Sequence, residues 1–190
     1  MYNIGVESGY LKQAYGNFKK AQKAQFALCF WPTECTFSSE KKYIKTRHMQ
    51  LNDYAVTGKI VYLNNNVWVV DFGKFMAYAF PELIKQYNGN VKVGDFIEGK
   101  GHIDIDMFQY FEYHHKEKDI QPLIYTWSIN NILKIVASKV DMQLGKNKDK
   151  WDTIEIEQTR CLYDDDGMAS YIFQCELLEV EPKFRIELHN

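Results

Sequence analysis

The sequence predicts a β-dominated α+β protein of one domain, a small antiparallel barrel with an N-terminal amphipathic helix and a C-terminal β-hairpin. Three observations carry that expectation. First, "YAVTGKIVYL" and "VWVVDFG" are β-branched and aromatic runs separated by Asn64, Asn65 and Asn66, residues that accept the left-handed backbone of a tight turn, so the two runs pair as a hairpin. Second, Leu11, Tyr15 and Phe18 recur at helical spacing among Lys12, Lys19, Lys20 and Lys23, the pattern of a helix with one buried face. Third, Asp166-Gly167 lies between "WDTIEIEQTRCLY" and "MASYIFQCELLEV", a strong hairpin signal. A chain of 190 residues that is 46% apolar and 15% aromatic has material for one sizeable core and is not intrinsically disordered.

Taken in order, the elements begin with the helix, predicted over residues 8–25. A short apolar run, "FALCFW", follows and is expected to end as a strand at Pro32. Between Thr33 and Asp53 the periodicity fades, and "SSEKKYIKTRH" reads as a basic loop or edge strand. After the hairpin, "KFMAYAF" continues the meander. Pro81 then opens a short helix, "PELIKQY", closed by Asn88 and Gly89. Gly94 and Asp95 turn the chain into a long strand running toward Tyr113. "HHKEKD" is a loop, and "PLIYTWSINNILKIVAS" is a core strand leading into a short helix. "KVDMQLGKNKDK" is an exposed loop by composition. The barrel-like core is thus expected over residues 54–137 and the closing hairpin over residues 151–181, with no linker long enough to divide the chain.

This order of hairpin, third strand, short helix and returning strand resembles an OB-type barrel over residues 54–106, on the strength of "VTGKIVYL", "VWVVDFG" and "VKVGDFIEG". The resemblance is to nucleic-acid-binding domains of the cold-shock kind. It implies single-stranded nucleic-acid binding, with Lys41, Lys42, Lys45, Arg47 and His48 on phosphates and Tyr43 or Trp68 stacking on bases.

Charge points to a different partner. The net charge is −2, but residues 1–50 hold eight basic against three acidic side chains and residues 151–190 three basic against ten acidic. The two ends are opposite in sign, which fits two recognition surfaces or ends that attract each other in the fold. With Asp166-Gly167 as the turn, Ile154, Ile156 and Leu162 share a face with Tyr171, Phe173, Cys175 and Leu177. Glu157 then falls directly opposite Glu176, with Glu155 on the same face. Like charges across a strand pair are either solvated or offered to a basic partner. On the second reading Glu155, Glu157, Glu176 and Asp164, Asp165, Asp166 form a docking surface for a basic protein. In broad character the chain is similar to immunity proteins, which bind and neutralise a partner toxin. Protein binding ranks first, nucleic-acid binding second, an enzyme third.

The enzymatic reading rests on His102, Asp104 and Asp106, which alternate with Ile103, Ile105 and Met107 and so project from one face of a strand. One imidazole and two carboxylates can hold a metal for hydrolysis, or supply a base with an orienting acid. Residues so spaced stand about 7 Å apart, so a metal needs a further ligand, for which His114 or His115 is available. The GxSxG, glycine-rich phosphate-loop and HExxH patterns do not occur, and no cofactor is expected. Cys29, Cys35, Cys161 and Cys175 have neither zinc-site spacing nor scaffold density, and Cys161 and Cys175 fall on opposite strand faces, so reduced, buried thiols are expected. No run approaches the roughly 18 apolar residues of a membrane span, and the polar first twenty residues lack a secretory core. The expected setting is the cytoplasm, without membrane contact.

Overall fold

The computed structural model describes residues 1–82, 90–137 and 151–188. Among them eleven strands join one sheet: β1 (Tyr2–Glu7), β2 (Gln22–Phe26), β3 (Leu28–Ser38), β4 (Lys45–Gln50), β5 (Asp53–Leu63), β6 (Trp68–Asp71), β7 (Met76–Ala79), β8 (Phe96–Ile105), β9 (Ile124–Val136), β10 (Asp152–Ile156) and β11 (Ser170–Lys183). Five of these close a barrel. The expected meander β5–β6–β7 is antiparallel throughout, with Leu63 opposite Trp68 across the asparagine turn. β7 lies parallel to β3, β3 pairs antiparallel with β8, and β8 returns antiparallel to β5. The fifth barrel strand therefore comes from the N-terminal side of the hairpin.

That strand does not stop at Pro32. β3 runs on to Ser38 because its register shifts between Pro32 and Glu34, a bulge at which a residue without an N–H costs no ladder bond. Opposite the bulge, a Cβ on Gly99 would stand 1.9 Å from the Glu34 carbonyl oxygen, so only glycine lets the two backbones come that close. Inside the barrel Phe30 meets Phe72 edge-on at 5.1 Å, and Trp68, Val70 and Ile97 are fully buried.

The predicted helix over 8–25 is mostly absent. Residues 2–7 form β1, α1 spans only Ser8–Tyr10, a π turn follows at Leu11–Tyr15, and Gly16 closes it with φ +77°. Residues 22–26 then pair as β2 with β9, Phe26 opposite Tyr125. Leu11 and Phe18 are buried and Tyr15 packs against the core, so the residues that suggested one long amphipathic helix do face inward. They reach the core from a turn and a loop as readily as from a helix.

The C-terminal hairpin is also corrected. β10 and β11 do not pair with each other; the 13-residue β9 lies between them, with Ile132 opposite both Ile156 and Phe173. Asp165, Asp166 and Gly167 do adopt positive φ, so the turn signal was sound, but the turn belongs to a crossing segment. Two further expectations are shortened or replaced. β8 ends at Ile105 and gives way to α2 (Gln109–Glu112), and β9 stays extended to Val136. β4 is the basic edge strand at one end of the sheet. Pro81 and Glu82 are helical; the remainder of that predicted helix and the predicted loop at 139–150 lie outside the described residues.

Among the described residues, two clusters hold the fold. The larger fills the barrel and continues between the barrel and β1, β2, β9 and β11. The smaller joins Ala27, Cys29, Val67, Val69 and Tyr78 to Tyr110, Ile120, Leu123 and Ile124, so the segment after β8 covers the outer face of β6 and β7. All four cysteines are free and buried. Among the described residues no helix is long and apolar enough to cross a membrane.

Candidate functional site: an open cleft beside the barrel

The strand order around β1 determines the site. β1 runs parallel to β8 with Gly5 beside Asp104 and antiparallel to β11 with Gly5 opposite Ile172, so one continuous sheet face carries residues of barrel and outer sheet together. A cleft of about 1240 Å³ opens over it. One wall comes from β3 through Trp31 and Thr33, the floor from β8 through His102 and Asp104, and the opposite wall from β9, β10 and the 165–168 turn.

The floor is polar and held by the β4–β5 turn. Asn52 donates its Nδ2 to Asp104 Oδ1, its carbonyl accepts the Ile103 N–H at 3.1 Å, and Asp53 is hydrogen-bonded to Nδ1 of His102. Asp106, two residues on, belongs to another environment. It is fully buried and accepts the Tyr78 hydroxyl at 2.7 Å, the Phe111 and Tyr110 N–H groups at 3.0 and 3.1 Å, and the Tyr15 hydroxyl at 3.4 Å. Burial raises its carboxyl above the usual range despite these donors.

The metal triad expected from the sequence is thereby separated: His102 is oriented by Asp53, Asp104 by Asn52, and Asp106 is enclosed as a structural anchor. Of the reserve ligands, His114 is buried and His115 contacts the Tyr110 carbonyl. Among the described residues no group of three His, Cys, Asp or Glu side chains stands together as a metal site.

The acidic set divides as well. Glu176 lies opposite Ser128 rather than Glu157, while Glu155 and Glu157 share Lys20 as their ion-pair partner. Asp164 is buried; burial opposes its charge, but bonds from Tyr171 and Arg160 hold its carboxyl below the ordinary value. Only Asp165 and Asp166 reach the cleft, where Glu7 and Asp104 join them; Asp165 is bonded to Lys134 at 2.9 Å. The cleft is thus lined by four carboxylates and one lysine among the described residues. Tyr10, Trp31 and Trp151 add aromatic surface, and Val136, Ile154 and Met168 stay 45, 48 and 59% exposed along it. Burial pushes the Tyr10 phenol up, with Glu7, Asp104 and Cys29 adding to the shift.

The basic set is found on β4 and the segment before it. Lys41, Lys45 and Arg47 are exposed, Tyr43 is 94% exposed, and Lys42 pairs with Glu98. Trp68 corrects the expectation of a stacking platform: it is fully buried, its Nε1 donates to the Phe80 carbonyl at 3.1 Å, and its ring packs on Phe37. The sequence reading missed Glu7, Tyr10, Trp31, Asn52 and Asp53. Asp53 reaches His102 only through the β5–β8 ladder, and Glu7 only through β1, which no periodicity announced.

Fold and cleft together define a closed β-barrel extended by an outer sheet, with an acidic and aromatic cleft where the two meet. No protein-family model, curated protein or solved structure matches the chain.

Proposed function

We propose that this is a non-enzymatic binding protein whose partner is another protein with a basic surface, engaged at the cleft, and that it acts in the cytoplasm as an immunity-type inhibitor. One observation carries the reading: the cleft combines an excess of carboxylates, Glu7, Asp104, Asp165 and Asp166 against Lys134, with exposed apolar side chains at Val136, Ile154 and Met168. Charge of one sign steers a partner of the other, and exposed apolar surface gains from being covered. The neutralising role is drawn from class likeness.

Nucleic-acid binding is the second reading. The barrel's pairing order suits an OB-type barrel with its last strand supplied from the N-terminal side, and Lys41, Tyr43, Lys45 and Arg47 offer a basic strip. Against it, the face of β6 and β7 on which such barrels place nucleic acid lies under Tyr110, Ile120 and Leu123. The test is purification of the tagged chain from its host at low and high salt, beside a Glu7→Lys/Asp166→Lys variant. A stoichiometric protein held by the wild type and lost by the variant supports the proposal. Nucleic acid that leaves as salt rises, with no protein partner, overturns it.

A further inference from the structure

We infer that the Glu7–Asp104 end of the cleft receives an arginine side chain from an extended segment of the partner, an inference that rests on the protein-binding reading. At about 1240 Å³ the cleft exceeds the roughly 300–1,000 Å³ of ordinary small-molecule pockets, which suits a length of polypeptide. Its two ends differ in chemistry. At one end the carboxylates of Glu7 and Asp104 stand with the phenol of Tyr10, whose acidity responds to both, and with Trp31 beside His102 in register. At the other end Val136 and Ile154 are exposed apolar side chains and Lys134 already holds Asp165, while Met168 lies nearer Glu7, because the Ala169 carbonyl accepts the Ser8 N–H at 2.8 Å.

A guanidinium fits the first end better than an ammonium. It is flat and weakly hydrated, stacks on aromatic rings and forks to carboxylates, whereas a lysine ammonium is a compact, strongly hydrated charge.

The test uses a synthetic probe, an acetylated and amidated peptide of three Arg-Gly-Ser-Ser-Leu repeats, and its lysine counterpart. Binding to the full chain is followed by fluorescence polarisation and by the change in total tryptophan emission, to which Trp31 and Trp151 in the cleft contribute beside the buried Trp68 and Trp127. The expected result is salt-sensitive binding, several-fold tighter for the arginine peptide, weakened at least tenfold by Glu7→Lys and unchanged by Glu176→Lys, both at exposed positions. Absent binding, equal affinity for the two peptides, no effect of Glu7→Lys, or equal loss with Glu176→Lys overturns the arginine seat. A stoichiometric host protein that Glu7→Lys retains removes this seat and leaves the protein-binding reading standing. A wild-type chain that captures no protein removes that reading, and with it the partner this seat was assigned to.

Discussion

Gly5 lies beside Asp104 in parallel register, and a Cβ at Gly5 would stand 2.2 Å from Asp104 Oδ1 and 2.3 Å from Asn52 Nδ2. The absence of a side chain at one residue of β1 is what lets the β4–β5 turn reach across and pin the carboxylate that forms the cleft floor. Gly5→Ala must displace that hydrogen bond. The expected cost is about 1–3 kcal/mol, the usual range for overpacking, read as a lower urea midpoint with unchanged slope. A midpoint equal to wild type would mean that the Asn52–Asp104 pair gives way freely.

Asp106 anchors four donors from three parts of the chain: Tyr15, Tyr78, and the N–H groups of Tyr110 and Phe111 at the start of α2. Asp106→Ala removes the acceptor and leaves buried donors unpaired, at an expected cost of about 3–5 kcal/mol. Asp106→Asn keeps one acceptor oxygen and costs less. Chemical denaturation of both variants orders them.

The same carboxyl sets a pH dependence. Its value in the folded protein is raised above the ordinary 3.8 by burial, so the folded state takes up this proton at higher pH than the unfolded chain. The stability from that proton is present in full below the unfolded value and is lost as pH rises through the folded one. Wild type therefore gains stability relative to Asp106→Asn as pH falls from neutral toward about 4. Urea midpoints of the pair at several pH values check the sign, and a difference that stays flat removes Asp106 as the cause.

Trp68 is a core residue, so its replacement acts on stability. Trp68→Ala empties a fully buried site and leaves the Phe80 carbonyl without its indole donor. The expected loss is about 3–5 kcal/mol, measured by thermal or urea unfolding, with Trp68→Phe closer to wild type.

The four thiols are expected to be silent in the folded protein. All are buried, and burial raises the thiols of Cys29 and Cys175 and takes Cys35 up to about 11, so little thiolate forms near neutrality. Titration with a chromogenic disulfide reagent should find four thiols per chain in guanidinium and almost none in buffer. Fast reaction of one thiol in buffer would point to local opening around it.

Much of the local structure was written in the sequence by itself, because turn chemistry acts over a few residues. The asparagine turn is one case: Asn64 Oδ1 accepts the N–H groups of Asn66 and Val67 at 2.7 and 2.8 Å and fixes the β5–β6 hairpin. The Gly94–Asp95 turn is another, with Asp95 accepting the Lys92 N–H at 2.9 Å before β8 begins. The alternation of β8 likewise identified which face carries His102 and Asp104. Tertiary structure alone decided which edge each strand would border. An alternating pattern says that a strand has a buried face, and says nothing of its neighbours. β9 is long and largely buried, so it took β2 and β10 on one edge and β11 on the other, displacing the hairpin that Asp166-Gly167 suggested. β3 entered the barrel from outside the meander, and β1 settled between β8 and β11. The cleft arises from those long-range pairings, which is why Asp165 and Asp166 were legible as acids while Glu7, Asn52 and Asp53 became visible as a site only once the sheet had brought them to His102 and Asp104.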